Sequence, residues 1–77
     1  MTLPRKGKEH DLKQKKRKRL RSQRNLRIAI YHLHAVQKRE EDDHTVSGIE
    51  DAIDALKATM DGISNKIDAL DEELSTL

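Results

Sequence analysis

From residue 46 to residue 77 the apolar residues recur in alternating steps of three and four without a miss: Val46, Ile49, Ile53, Leu56, Met60, Ile63, Ile67, Leu70, Leu74 and Leu77. This spacing lays one apolar strip along a single helix face. It is the a/d pattern of a coiled coil, with Val46, Ile53, Met60, Ile67 and Leu74 at a and Ile49, Leu56, Ile63, Leu70 and Leu77 at d. The segment also repeats itself, since GIEDAIDAL (48–56) returns as GISNKIDAL (62–70), an offset of two heptads. The pattern predicts a helix from about Ser47 to Leu77, ~45 Å long. Ser47 and Glu50 are placed to form a capping box at its start.

Such a strip needs a covering surface. Ile-at-a with Leu-at-d layers at 53/56 and 67/70 favour a parallel dimer, while Ile49 and Ile63 at d favour trimers or tetramers. Charges on the e and g edges specify little: Lys66 with Asp71 is the single attractive g to e′ pair of a parallel dimer. Small residues Gly48, Ala55, Gly62 and Ala69 occupy c positions, and Ala52 a g position, so another helix could lie close along that flank. Asp54, Asp61 and Asp68 form a b-position stripe whose members sit ~10 Å apart along the axis. No two of them can share an ion, which makes the stripe a solvated face.

The rest of the chain has the opposite charge. Residues 1–39 hold fourteen Lys or Arg against Glu9 and Asp11, a balance of +12, whereas residues 40–77 hold Lys57 and Lys66 against twelve carboxylates, a balance of −10. Nine of the fifteen residues from 13 to 27 are basic: Lys13, Lys15, Lys16, Arg17, Lys18, Arg19, Arg21, Arg24 and Arg27. Helix formers without Gly or Pro run from Lys8 to Ser47, so a second helix is expected from roughly Glu9 to Glu40, with Pro4 and Gly7 marking its start. Within it Leu26, Ile30 and Leu33 share one face and Ile28, Tyr31 and Ala35 an adjacent one. Residues 13–25 offer only Leu20 as a sizeable apolar group, so the second part is expected to pack and the first is not. Like charges three and four apart weaken an isolated helix by a few tenths of a kcal/mol per pair. The arm is therefore expected to be loose until a polyanion neutralises it, as arginine-rich nucleic-acid-binding segments are. About six phosphate contacts would give a log-affinity against log-salt slope near −5. Arg24 and Asn25 are chemically able to address base edges, but backbone contacts to DNA or RNA carry the expectation.

A basic region followed by a heptad helix resembles the bZIP transcription factors in arrangement. The likeness ends there, because the Arg that the family places seven residues after its Asn would fall at position 33 after Asn25, and Leu33 stands there. The two apolar faces are also out of phase, with EEDDHT (40–45) between them. KKRKR (15–19) fits the loose form of a nuclear localisation signal.

Other classes find less support. The 77 residues contain no cysteine, and no Gly-rich phosphate loop or nucleophile beside a base occurs, so no catalytic residue, metal site or cofactor is expected. His32 and His34 are two apart, on different helix faces. The Glu40 to Asp43 cluster reads as an acidic linker before a helix N-terminus, where negative charge is favoured. LRIAIYHLHAV (26–36) is too short and too polar to span a bilayer, and with no Trp or Phe a membrane-surface role is not expected; the chain is expected to be soluble and intracellular. Tyr31, the sole aromatic residue, is expected in a helix–helix contact rather than stacked on a base.

The expectation is thus all-α: a long C-terminal coiled-coil helix preceded by a basic helix, extended or folded back as an αα-hairpin, in an oligomer. Residues 1–27 form a basic, loosely ordered nucleic-acid-binding arm, 26–40 an amphipathic helix, 40–46 an acidic linker and 46–77 the oligomerisation helix. Self-association is expected first as a dimer, then as a trimer or tetramer. The rival expectation is a non-enzymatic scaffold, adaptor or assembly subunit, in a ribonucleoprotein or virion for example, whose coiled coil docks on a helical protein partner and whose basic arm binds an acidic protein surface.

Overall fold

The computed structural model describes residues 5–77 of the chain, with side chains from residue 7 onward. Two helices, α1 (Arg5–Arg39) and α2 (Asp43–Ser75), form an extended antiparallel hairpin about 58 Å long. No strand occurs among the described residues. Pro4 lies outside the described residues, and Gly7 is inside α1.

The turn between the helices is three residues, Glu40, Glu41 and Asp42. A connection this short forces antiparallel neighbours. α1 closes where the Glu40 N–H donates to the carbonyls of Val36 (3.1 Å) and Gln37 (3.3 Å), with Lys38 and Arg39 in the last turn beside the negative end of the helix dipole. α2 opens on Asp42, whose Oδ2 accepts from the Thr45 backbone N–H (3.0 Å) and from Thr45 Oγ1 (2.6 Å). The start expected at Ser47 is therefore corrected to Asp43, and the linker expected over 40–46 shrinks to 40–42. Asp42 and Thr45 provide a cap one turn earlier, and Asp43 adds favourable charge to the first turn. At the other end the Thr76 and Leu77 amides turn back to the carbonyls of Glu73 and Leu74.

The ten ladder residues, nine in α2 and Leu77 just beyond it, are all buried or half-buried, and the only other residue of the helix sharing that state is Ser64. The ladder packs on α1 of the same chain. Its centre is driest: Ile53 is 2% exposed, Ile67 8% and Ile63 9%. α1 answers with a seam of its own, at Leu12, Lys16, Arg19, Gln23, Leu26, Ile30, Leu33 and Gln37, again in steps of four and three. All but Arg19 are buried or half-buried, and Leu12 is the driest residue of α1. The expectation that the basic stretch has nothing to pack with is thus corrected. Lys16 and Gln23 fill seam positions by laying their methylene stems on α2 and extending their polar ends to its edge. Ile28, Tyr31 and Val36 stand on the exposed side, and Tyr31, expected in the helix contact, is 72% exposed. It meets the edge of His32, with ring centroids 5.8 Å apart.

α1 does not press on the glycines of the small-residue flank of α2. A Cβ built on Gly48 or Gly62 meets nothing within 4 Å. Within the chain these glycines carry only their helix penalty, about 1 kcal/mol each relative to Ala. Gly62→Ala should accordingly raise unfolding stability by about 1 kcal/mol in a urea titration; a loss would show that another helix is packed closely against that flank. Asp42→Ala should lower the melting temperature while Asp42→Asn, an equally good cap, should not. The Thr45 hydroxyl and then the Thr45 amide hold the Asp42 carboxyl below its ordinary value of 3.8. Since the folded pKa is the lower one, this stabilisation is complete above pH 3.8 and disappears as pH falls through the folded value. The thermal stability difference between the parent and Asp42→Ala should narrow over that acid range.

Candidate nucleic-acid interface

The nine basic residues of 13–27 are divided by the helix into groups with different surroundings. Lys16 is half-buried, and its Nζ pairs with Asp71 of α2. One heptad further along α1, Gln23 Nε2 donates to Ser64 Oγ, one heptad back along α2. These two contacts share one antiparallel register and lie on the same edge, since Ser64 and Asp71 are both e positions of the ladder.

Lys13 and Lys15 pair with Glu9 (2.9 Å) and Asp11 (3.3 Å) one turn before them. Both are exposed i, i+4 pairs with the acid on the N-terminal side, the better orientation, and stabilise the helix by a few tenths of a kcal/mol. They offset part of the like-charge repulsion, and α1 runs as unbroken helix through residues 13–27.

Arg17, Lys18, Arg19, Arg21, Arg24 and Arg27 are exposed and have no ion pair among the described residues. Three of them, Arg17, Arg21 and Arg24, lie on the side of α1 turned away from α2, and the same side continues into Ile28 and Tyr31. Gln14, Arg17, Lys18 and Arg21 border a shallow recess on this outer face. The carboxylates Asp54, Asp61 and Asp68 are exposed on α2, on the edge that carries Ser64 and Asp71. The hairpin therefore keeps most of its opposite charges on opposite sides although it folds the two halves together, and Lys16 with Asp71 is the one ion pair between the helices among the described residues.

The other edge is different. A groove of about 500 Å³ is bordered by Lys15, Lys18 and Arg19 of α1 and by Lys66, Ala69 and Leu70 of α2. Lys66 was not legible as a member of a basic surface in the sequence, where it is one cation among twelve carboxylates; its g position becomes informative only once the antiparallel register sets it beside the basic run. Among the described residues no group of three or more His, Asp or Glu is gathered as a metal site would require, and no helix is long and apolar enough to cross a membrane.

The register makes a direct prediction. Lys16→Glu should destabilise the hairpin by placing two carboxylates together, and adding Asp71→Lys should restore most of the loss. The coupling expected from a double-mutant cycle on a pair this exposed is about 0.2–1 kcal/mol; no recovery in urea unfolding would mean the helices meet in another register.

No family model, curated protein or solved structure matches this chain.

Proposed function

We propose that this chain is a non-enzymatic nucleic-acid-binding protein whose α1 holds the phosphate backbone of DNA or RNA, and whose hairpins associate with one another. The observation that carries this reading is the unpaired, exposed row Arg17, Arg21 and Arg24 on the side of α1 away from the acidic helix. A row of guanidinium groups on one helix face offers planar, charge-assisted donors at successive turns, which suits phosphates along a backbone. Tyr31 on the same side, 72% exposed, gives an unpaired base a ring to stack on. The acidic helix contributes by what it does not do: its carboxylate stripe faces elsewhere, so it does not compete with phosphate for these arginines.

Self-association is supported by the thinness of the core. Among the described residues only Leu12, Ile53, Ile63 and Ile67 are buried, and the other seven ladder residues remain half-exposed. Each fully buried side chain of this kind contributes about 1.5–3 kcal/mol, little for a chain of this length without disulfides or metal. Pairing two hairpins, as in a four-helix bundle, would cover the remaining apolar edges. It would also hold two basic helices in one particle, raising avidity without new contacts. A nuclear or nucleoid location would follow from such binding or from the KKRKR run, of which Lys16 alone is half-buried.

A second reading, that of an adaptor for a helical protein, is favoured by the exposed apolar residues Leu20, Ile28 and Val36. The two separate in a salt titration against labelled duplex DNA, duplex RNA and single strands. Nucleic-acid binding predicts a log–log slope near −5 for about six phosphate contacts. Reversing charge at Arg17, Arg21 and Arg24 should abolish binding near 150 mM salt while leaving the helical circular dichroism and the solution mass unchanged. If the parent chain binds none of the three substrates near 150 mM salt, the adaptor reading takes over.

A further inference from the structure

The groove on the second edge of the hairpin collects cations from both helices. Lys18, Arg19 and Lys66 border it without a carboxylate partner among the described residues, and Lys15 is tied only to the exposed Asp11. α2 has two cations, Lys57 and Lys66, and Lys66 is the one that borders the groove. Four like charges around one concavity repel each other, and an anion seated between them relieves that repulsion. The methyl groups of Ala69 and Leu70 supply a low-dielectric wall, which strengthens attraction to an anion compared with an open surface.

The opposite edge cannot do this. There Lys16 is already paired with Asp71, and Asp61 and Asp68 would repel phosphate. Lys18, in contrast, borders both the groove and the outer recess formed with Arg17 and Arg21. Cationic surface thus continues without a break from the outer face of α1, over Lys18, to Arg19 and Lys66.

From this continuity we infer that the groove is a second phosphate site, and that a bound nucleic-acid strand crosses the hairpin from α1 toward α2 with Lys66 taking one of its phosphodiesters. The inference rests on the nucleic-acid reading above and adds to it a contact from the acidic helix and a direction for the strand. The acidic helix then has two edges with separate uses, one fixing α1 and one admitting the ligand.

The test uses the full chain and a fluorescently labelled 20-nucleotide strand, alone and as a duplex, over a range of salt. Lys66→Ala should weaken binding roughly fivefold near 150 mM salt and make the salt slope shallower by about one unit, the signature of one lost phosphate contact. Lys66→Glu should weaken it further. Lys57→Ala makes the same change in net charge at an exposed position away from the groove and should stay within about twofold of the parent. Equal effects of Lys66→Ala and Lys57→Ala, with the parent binding steeply, would overturn the groove site and leave the α1 reading intact. Absence of binding by the parent would remove both. Helical circular dichroism on each variant confirms that the hairpin is retained, which the exposure of both lysines leads one to expect.

Discussion

The hairpin depends on a strip of apolar side chains one helix face wide, and on α1 covering it. Neither helix could hold its position alone: α2 would expose its ladder, and α1 would be a strongly cationic helix with scattered apolar groups. Covering the strip is a compromise, because half of the α1 seam is polar. Leu12, Leu26, Ile30 and Leu33 supply apolar contact, while Lys16, Arg19, Gln23 and Gln37 occupy the positions between and beyond them. Lys16 and Gln23 meet Asp71 and Ser64 at the edge of α2. Contacts this exposed add little stability, but they distinguish one register from its neighbours, which an apolar strip of near-equivalent Ile and Leu side chains does weakly. Polar groups that fix register at little gain in stability are a known device of helix pairs.

Once the register is set, the surface follows. Inward seam positions consume Lys16, and local pairs engage Lys13 and Lys15, so most of the cations of the basic stretch left without an ion pair lie on the outer face or at the groove edge. The net charge of +2 describes none of this. What an approaching polyanion meets is a basic face on α1, an acidic edge on one side of the hairpin, and a basic groove on the other. Folding the two halves together sharpens the contrast, because the short turn brings α2 alongside α1 while most carboxylates point elsewhere.

Much of this was legible in the sequence. The strict 3.5-residue period identified the buried face of α2, since ladder residues outweigh everything else in that helix; Ser64, half-buried at its margin, is outside that period. The Leu26, Ile30 and Leu33 face of α1 was legible for the same reason. The seam of α1 from residue 12 to 23 was not, because Lys, Arg and Gln at core-facing positions look like solvent positions until the partner helix shows where their stems lie. Tyr31 misled in the opposite sense: an aromatic ring among apolar residues suggests a core, but it falls on the far side of the helix. The helix start shifted from Ser47 to Asp43 because two cap signals compete in the sequence, and Asp42 with Thr45 wins by extending the helix another turn. Lys66 depended on tertiary register alone, which no local pattern contains.

The most direct measurement is nucleic-acid binding by a covalently closed hairpin. The chain has no cysteine, so Gln23→Cys with Ser64→Cys introduces one pair at a contact between the helices. The antiparallel hairpin predicts that oxidation closes a disulfide within one chain, seen as a shift at monomer mass on a non-reducing gel. It also predicts that the closed protein binds nucleic acid with the affinity and salt dependence of the reduced form. Disulfides formed only between chains would contradict the hairpin. Binding lost on oxidation and recovered on reduction would show that α1 must leave α2 to engage its ligand, making the folded hairpin a closed state rather than the binding surface.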